Sequence, residues 1–381
     1  MTDVVMVAGE SSGDLLGGEL LTALRRRFPQ LVALGVGGVR MRAAGLQGQF
    51  DINDLAVVGL VEVIRRLPRL WRVFVWLSRL LEVERPRLLI TIDLPDFNFL
   101  LARRARALGI PVVHYVSPQV WAWRSGRVAR IAGLLDHLLV LFPFEPDIYA
   151  RTTLPVTFVG HPLTRLAVPA HPREVVRRAL GMAPDEQLVV LLPGSRHGEL
   201  QQLLGPLLAT CRELARQMPR LRFALALADT LSLDDLAGYW PAEHTADAVG
   251  VPSIVVLRGE TYELLGAADA ALVASGTATL EAALLGAPMV VVYRVNRLTY
   301  ELGRRLIRVP FISLANLVAG RALVTERIQA DVRPDLLARD LMALLTDAER
   351  VAEMRAGFAV IREKLSRSSH QPVDIISEFL S

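Results

Sequence analysis

Short, almost uninterrupted apolar runs alternate with amphipathic segments along the chain, and this alternation restricts the fold more than any other feature of the sequence. In the first half the runs occupy residues 4–7, 31–36, 88–92, 111–116, 137–141 and 157–159; in the second, 188–192, 222–227, 253–257, 270–273 and 289–293. Between them, segments such as 17–28, 99–108 and 279–285 space their apolar residues as helices do. Strands apolar on both faces must be covered on both faces, which is the condition of a parallel sheet between helix layers, so an α/β fold is expected. Prolines cluster and the periodicity lapses across 160–172, which reads as a linker between two Rossmann-like halves facing one cleft. The expected domains are 1–165 and 173–338, with a helical segment 339–381 that could cross back to the first. A length of 381 residues also calls for two cores.

Hydrophobic residues make up 52% of the chain and the mean hydropathy is +0.36. A sizeable core follows, yet no run approaches the about 18 apolar residues of a spanning helix. The start, Met1-Thr2-Asp3-Val4, lacks the basic segment of a signal peptide. The lone Cys211 excludes a disulfide framework, fits a reducing compartment and reads as a small buried apolar residue. A net charge of +4 points to an anionic partner. The seven histidines are scattered and the acids lack ligand spacing, so neither a metal nor another cofactor is expected.

Two stretches of the second half suit anions. Leu192-Pro193-Gly194-Ser195-Arg196 lies between a strand and a helical run, so backbone N–H groups at Gly194 and Ser195 can approach a phosphate that Arg196 clamps. Ala274-Ser275-Gly276-Thr277-Ala278-Thr279-Leu280-Glu281 repeats the arrangement. Ser275, Gly276, Thr277 and Thr279 suit a diphosphate and Glu281 a ribose diol, or the threonines simply cap a helix. Neither stretch has P-loop spacing, and Gly35-Val36-Gly37-Gly38 is followed by Arg40 where a dinucleotide fingerprint needs glycine.

In the first half, Ala8-Gly9-Glu10-Ser11-Ser12-Gly13-Asp14 carries two acids and so suits sugar hydroxyls better than phosphate; Glu10, Ser12, Gly13 and Asp14 are the candidates, with N-capping by Ser12 as the alternative. Asp93, at the carboxyl end of an apolar strand, stands where open α/β sheets bind ligands and can act as general base, and Asp96 either shares that role or caps a helix. The loop His114–Trp123 reads as a pocket lining or a packed loop, and His161 as a backbone hydrogen-bonder. Across 67–84, Leu67, Leu70, Trp71, Phe74, Leu77 and Leu81 form the expected core stripe. Arg69, Arg72, Val73, Trp76 and Leu80 form the opposite face, an interfacial membrane helix or a solvated basic face.

Taken together, residues 8–14, 59–63, 93–98, 114–123, 144–145, 158–161, 191–196, 275–281, 288–294, 313–320 and Gln329 resemble the bacterial lipid-A-disaccharide synthases over nearly the whole chain, departing at Ala315, where the pattern has proline. The resemblance implies the GT-B glycosyltransferase fold. It further implies inverting, metal-independent transfer of 2,3-diacylglucosamine from UDP to 2,3-diacylglucosamine 1-phosphate (lipid X), giving a β(1→6) disaccharide 1-phosphate and UDP. Asp93 would be the base, Arg196 would stabilise the leaving diphosphate, and Asn316 and Gln329 carry over as acceptor- or sugar-site residues. The implied partners are the two acylated sugars and an anionic membrane surface, with no nucleic acid; a homodimer is compatible with it. The implied location is the cytoplasmic face of the inner membrane.

Overall fold

The computed structural model describes residues 2–55, 60–123, 125–236, 253–296, 300–301, 304 and 309–381, with side chains throughout these except 60–66, 122, 123 and 125. Residue 59 and the side chains of 60–63 in the first-half motif, the Trp123 side chain and Arg124 thus lie outside the described residues. The chain forms two compact units, residues 1–162 with 367–381, and residues 163–366. The helices Pro334–Thr346 and Ala348–Ser366 belong to the second unit and the helix Pro372–Glu378 to the first.

The first unit is a six-stranded sheet in the order β2-β1-β3-β4-β5-β6, every pair parallel: β1 Val4–Ala8, β2 Ala33–Val36, β3 Leu88–Ile92, β4 Val112–Tyr115, β5 His137–Val140 and β6 Val156–Phe158. β1 and β3 are buried at every position because helices cover both faces. The helices that matter here are α1 Ser11–Arg27, α2 Val39–Ala43, α3 Leu60–Glu84, α4 Pro95–Ala107, α5 Val120–Trp123 and α6 Val128–Ala132.

The second unit repeats the architecture in the order β12-β11-β10-β7-β8-β9, again all parallel: β7 Gln187–Leu192, β8 Leu221–Leu227, β9 Ile254–Arg258, β10 Ala270–Ala274, β11 Met289–Tyr293 and β12 Thr325–Ile328. β12 is a strand the apolar runs do not announce. It is half-buried throughout, and its Arg327 pairs with Asp340 through bonds of 2.6 and 3.0 Å. Cys211 is fully buried in the helix His197–Gln217, and burial pushes its thiol well above the usual range.

α3 corrects the expected stripe. Val73, Leu77 and Leu81 are fully buried, and Leu70, Phe74, Trp76 and Leu80 pack on the same core. Trp76 meets Phe50 edge-on at 5.4 Å, and Arg69 is committed to the nearly buried Asp54. Val73, Trp76 and Leu80 are therefore not a membrane face. The outward side carries Leu67, Trp71 and Val75, 52%, 64% and 47% exposed, beside exposed Arg72 and Arg79. Pro68 lies inside the helix. Among the described residues no helix is long and apolar enough to cross a membrane.

Candidate functional site

Each sheet has one place where consecutive connections leave in opposite directions, and ligands of open α/β sheets bind in the crevice this opens at the strands' carboxyl ends. In the first unit it lies between β1 and β3, in the second between β7 and β10. The four motif loops of the sequence are the loops that follow these four strands.

In the first unit, Asp93 directly follows β3. Asp93 and Leu94 have φ of 54° and 45°, a left-handed elbow that costs non-glycine residues about 1–3 kcal/mol each. The surroundings hold it in place. The Asp93 N–H donates to the Tyr115 carbonyl at 3.0 Å, and buried Asn98 sends Nδ2 to the carbonyls of Asp93 (2.6 Å) and Ile92 (3.3 Å). The Leu94 N–H donates to Asp93 Oδ1 at 2.9 Å, and the Ser12 hydroxyl, from the loop after β1, hydrogen-bonds the same carboxylate. Burial holds the Asp93 carboxyl above its ordinary value, with those two donors pulling the other way. A half-buried carboxylate of this kind can take a proton from a hydroxyl. Asp96 is exposed and paired with Arg127 at 2.7 Å; it has neither the elbow nor the burial.

The other first-unit candidates divide. Glu10 is exposed at the N-terminus of α1 and Ser12 touches Asp93, so both stand in the crevice. Asp14 does not: its buried carboxylate accepts the N–H groups of Gly38 (2.8 Å), Arg40 (3.0 Å) and Met41 (3.0 Å), capping α2, and this replaces the expected sugar contact. Gly13 is buried where an added Cβ would lie 3.3 Å from Ala8 Cβ, so it serves close packing of α1 on the sheet. Trp121 packs edge-on against Phe144 at 5.5 Å, with Phe142 stacked on Phe144 and His161 against Phe142, so this part of the loop is a packed one. Burial lowers His161 to about 4.

Sequence reasoning missed Glu145 as a site candidate. Nearly fully buried, it accepts the N–H groups of Leu141 (3.2 Å) and Phe142 (3.0 Å), and burial raises its carboxyl to about 7. Its signal was an acid just beyond the carboxyl end of β5.

In the second unit, Gly194 has φ 111°, and a Cβ there would collide with the Glu199 side chain. Glu199, also missed, accepts the Ser195 N–H at 2.9 Å and pairs with exposed Arg196 at 3.0 Å, so an arriving anion would exchange with a carboxylate already holding that donor. At the other loop Gly276 has φ 154° and opens the helix Thr277–Leu284. The first amides of this helix, at exposed Thr277 and at Ala278, are of the kind a helix leaves without internal partners. The Ser275 hydroxyl is spent on the Ile312 carbonyl and the Thr279 hydroxyl on the Gly276 carbonyl, both at 2.8 Å, so these two shape the loop instead of meeting a ligand with their hydroxyls. Glu281 accepts the Tyr262 hydroxyl at 3.1 Å, and burial raises its carboxyl.

Asn316 and Gln329 are held by hydrogen bonds within the second unit. Buried Asn316 donates to the Val324 carbonyl and Glu326, both at 2.9 Å, and accepts the N–H groups of Leu323 (2.8 Å) and Val324 (2.9 Å). Gln329 grips both backbone groups of Val295, at 2.9 and 3.1 Å. Their amides are occupied in bracing the loops after β11 and before β12. Among the described residues no cluster of three or more His, Cys, Asp or Glu could hold a metal ion.

The family described as lipid-A-disaccharide synthetase matches residues 4–378. The lipid-A-disaccharide synthase of Geobacter metallireducens is 42% identical over 379 residues, 99% of this chain and 97% of the relative. That of Syntrophus aciditrophicus is 42% identical over 362 residues, 95% and 93% of the two. Among solved structures, UDP-GlcNAc 2-epimerase from Neisseria meningitidis bound to UDP-GlcNAc superposes with a TM-score of 0.60 at 13% identity, covering 96% of this chain and 99% of that one. The calicheamicin glycosyltransferase CalG4 gives 0.57 at 16%, covering 100% and 98%. At these identities the likeness is one of fold, the two-unit α/β GT-B architecture.

Proposed function

The chain belongs to the lipid-A-disaccharide synthetase family, and from that premise we propose that it condenses UDP-2,3-diacylglucosamine with 2,3-diacylglucosamine 1-phosphate, with inversion, to the β(1→6) disaccharide 1-phosphate and UDP. It is a glycosyltransferase of lipid A biosynthesis; the substrates and stereochemistry are the proposal. The observation that carries it is the Asp93 elbow, a strained carboxylate of raised pKa hydrogen-bonded by Ser12 across the β1/β3 crevice. Asp93 takes the proton of the acceptor's 6-hydroxyl as that oxygen attacks the anomeric carbon from the side opposite UDP. The bond to the diphosphate breaks, and Arg196 with the amides opening the helix Thr277–Leu284 carries the charge that grows there. Glu281 binds the ribose diol once Tyr262 yields its hydrogen bond.

Acylated substrates rest in a bilayer, so the enzyme works at its cytoplasmic surface. The outward stripe Leu67, Trp71 and Val75 of α3, flanked by Arg72 and Arg79, supports docking there, since tryptophan suits the headgroup level and arginines gain from anionic lipid. Trp71→Glu should reduce sedimentation with phosphatidylglycerol vesicles without lowering thermal stability; unchanged sedimentation would leave the stripe a solvated face. For the reaction, purified protein is incubated with both acylated sugars and the products are read by mass spectrometry. Disaccharide 1-phosphate and UDP in equal amounts are expected, and UDP without disaccharide would overturn the reading.

A further inference from the structure

Beside the Asp93 elbow the first unit holds a cavity of about 370 Å³ that the reaction as described does not use. One wall is α4, where Asp96, Phe99, Leu100 and Arg103 follow one another at helical spacing; the other is Arg127 with Arg130 and Ile131 of α6, and Leu134 just beyond the end of α6. The two walls thus offer three guanidinium groups above an apolar floor. Their charges do not cancel. Asp96 is the one acid in the lining and is tied to Arg127, whereas no acid pairs with Arg103 or Arg130 among the described residues. Arginine is the side chain best shaped for the oxygens of a phosphomonoester.

The position of the cavity narrows its ligand. Asp96, three residues beyond Asp93, stands in the first turn of α4, so the cavity begins at the end of α4 that follows the Asp93 elbow and runs about 10 Å down α4 to Arg103 at 1.5 Å per residue. In a glucosamine ring C1 and C5 flank the ring oxygen, and C5 bears the CH2OH group of the 6-hydroxyl, so a phosphate on C1 lies within one sugar's width of that hydroxyl. With the 6-hydroxyl at Asp93, the C1 phosphate reaches the arginine-lined mouth. The geometry points to this cavity as the seat of the acceptor's anomeric phosphate, held by Arg127 and Arg130 from one wall and Arg103 from the other. The apolar floor of Phe99, Leu100, Ile131 and Leu134 suits the sugar's acyl substituents. Asp96 holds Arg127 in place until the phosphate replaces it. This inference rests on the acceptor reading above, and its test separates the two.

Two acceptors are compared at fixed donor: glucosamine 1-phosphate carrying two hexanoyl chains, and the same diacyl sugar as its methyl glycoside, without phosphate. The unaltered protein should prefer the phosphorylated acceptor. Arg103→Gln with Arg130→Gln, both exposed and so dispensable to the core, should raise KM for that acceptor about tenfold or more. Donor KM should stay unchanged, and the preference for phosphate should shrink by the same factor. Equal losses with both acceptors, or an unchanged KM for the phosphorylated one, overturn the assignment. So does a variant that changes only sedimentation with phosphatidylglycerol vesicles, because the arginines would then serve lipid headgroups. If the unaltered protein glycosylates neither acceptor, the acceptor reading itself falls and takes this seat with it.

Discussion

At the switch point of the first sheet the chain turns through Asp93 and Leu94, left-handed without a glycine, and presents a carboxylate held above its ordinary pKa. At the switch point of the second it turns through Gly194 and Gly276, and presents amides and the exposed guanidinium of Arg196. Both are switch points, two strands from one edge of the first sheet and at the centre of the second, and the architecture is the same parallel α/β layer. The chemistry is opposite in sign. Strain is accepted where one side chain must be aimed, and glycine is used where backbone must approach a ligand. A transferase needs both: a proton acceptor at the attacking oxygen and a charge stabiliser at the leaving one.

The comparison breaks most sharply at Asp93. Asp93→Asn preserves shape but cannot take the proton, and turnover should fall by roughly 10²–10⁴ with donor affinity intact. Steady-state rates with UDP binding by calorimetry check this; near-normal turnover would remove the division of labour altogether. A smaller effect is expected on the other side. Arg196→Ala should lower turnover by about 10–100-fold, since its interaction grows with charge on the diphosphate, whereas Glu281→Ala should mainly weaken UDP binding. Loss of UDP affinity in neither variant would show that the second crevice is not the nucleotide site.

Much of this was legible in the sequence because apolar runs report burial directly. Eleven strands announce themselves in that way. The twelfth, Thr325–Ile328, does not, because Thr-Glu-Arg-Ile is an edge strand whose polar side chains are satisfied by neighbours: Glu326 takes the N–H groups of Ile312 and Ser313, and Arg327 takes Asp340. The burial side of α3 was misread because apolar residues occupy most of its circumference, and only packing against α4 and Phe50 decides which of them turn inward. The motif loops were placed correctly at the strand ends, but a polar residue in such a loop looks the same whether it faces a ligand or braces the backbone. Asp14, Asn316 and Gln329 are of the second kind: each meets two or more backbone groups brought close only by the folded chain. Ser12 meets a side chain instead, the Asp93 carboxylate, and nothing in its local sequence distinguishes it from them.

The smallest expected effect is also the most discriminating. A base must be ionised to act, so kcat/KM should fall as pH drops through the pKa of its carboxyl, and burial sets that acid limb for Asp93 above the ordinary aspartate range. The Ser12 hydroxyl donates to the ionised form and so lowers the pKa. Ser12→Ala should therefore move the acid limb to higher pH, by about one pH unit if the hydrogen bond is worth about 1.4 kcal/mol. Well above the limb the carboxyl stays ionised in both proteins, so turnover there should change by no more than about threefold. Glu145 supplies the contrasting outcome. Its carboxyl is raised to about 7 by burial and bound by the N–H groups of Leu141 and Phe142, with no contribution from Ser12. An acid limb near neutrality that ignores Ser12→Ala but disappears in Glu145→Gln would transfer the base to the aromatic loop. A limb that follows Ser12 ties proton transfer to the β1/β3 crevice, and leaves Glu145 as a buried acid that braces the backbone at Leu141 and Phe142.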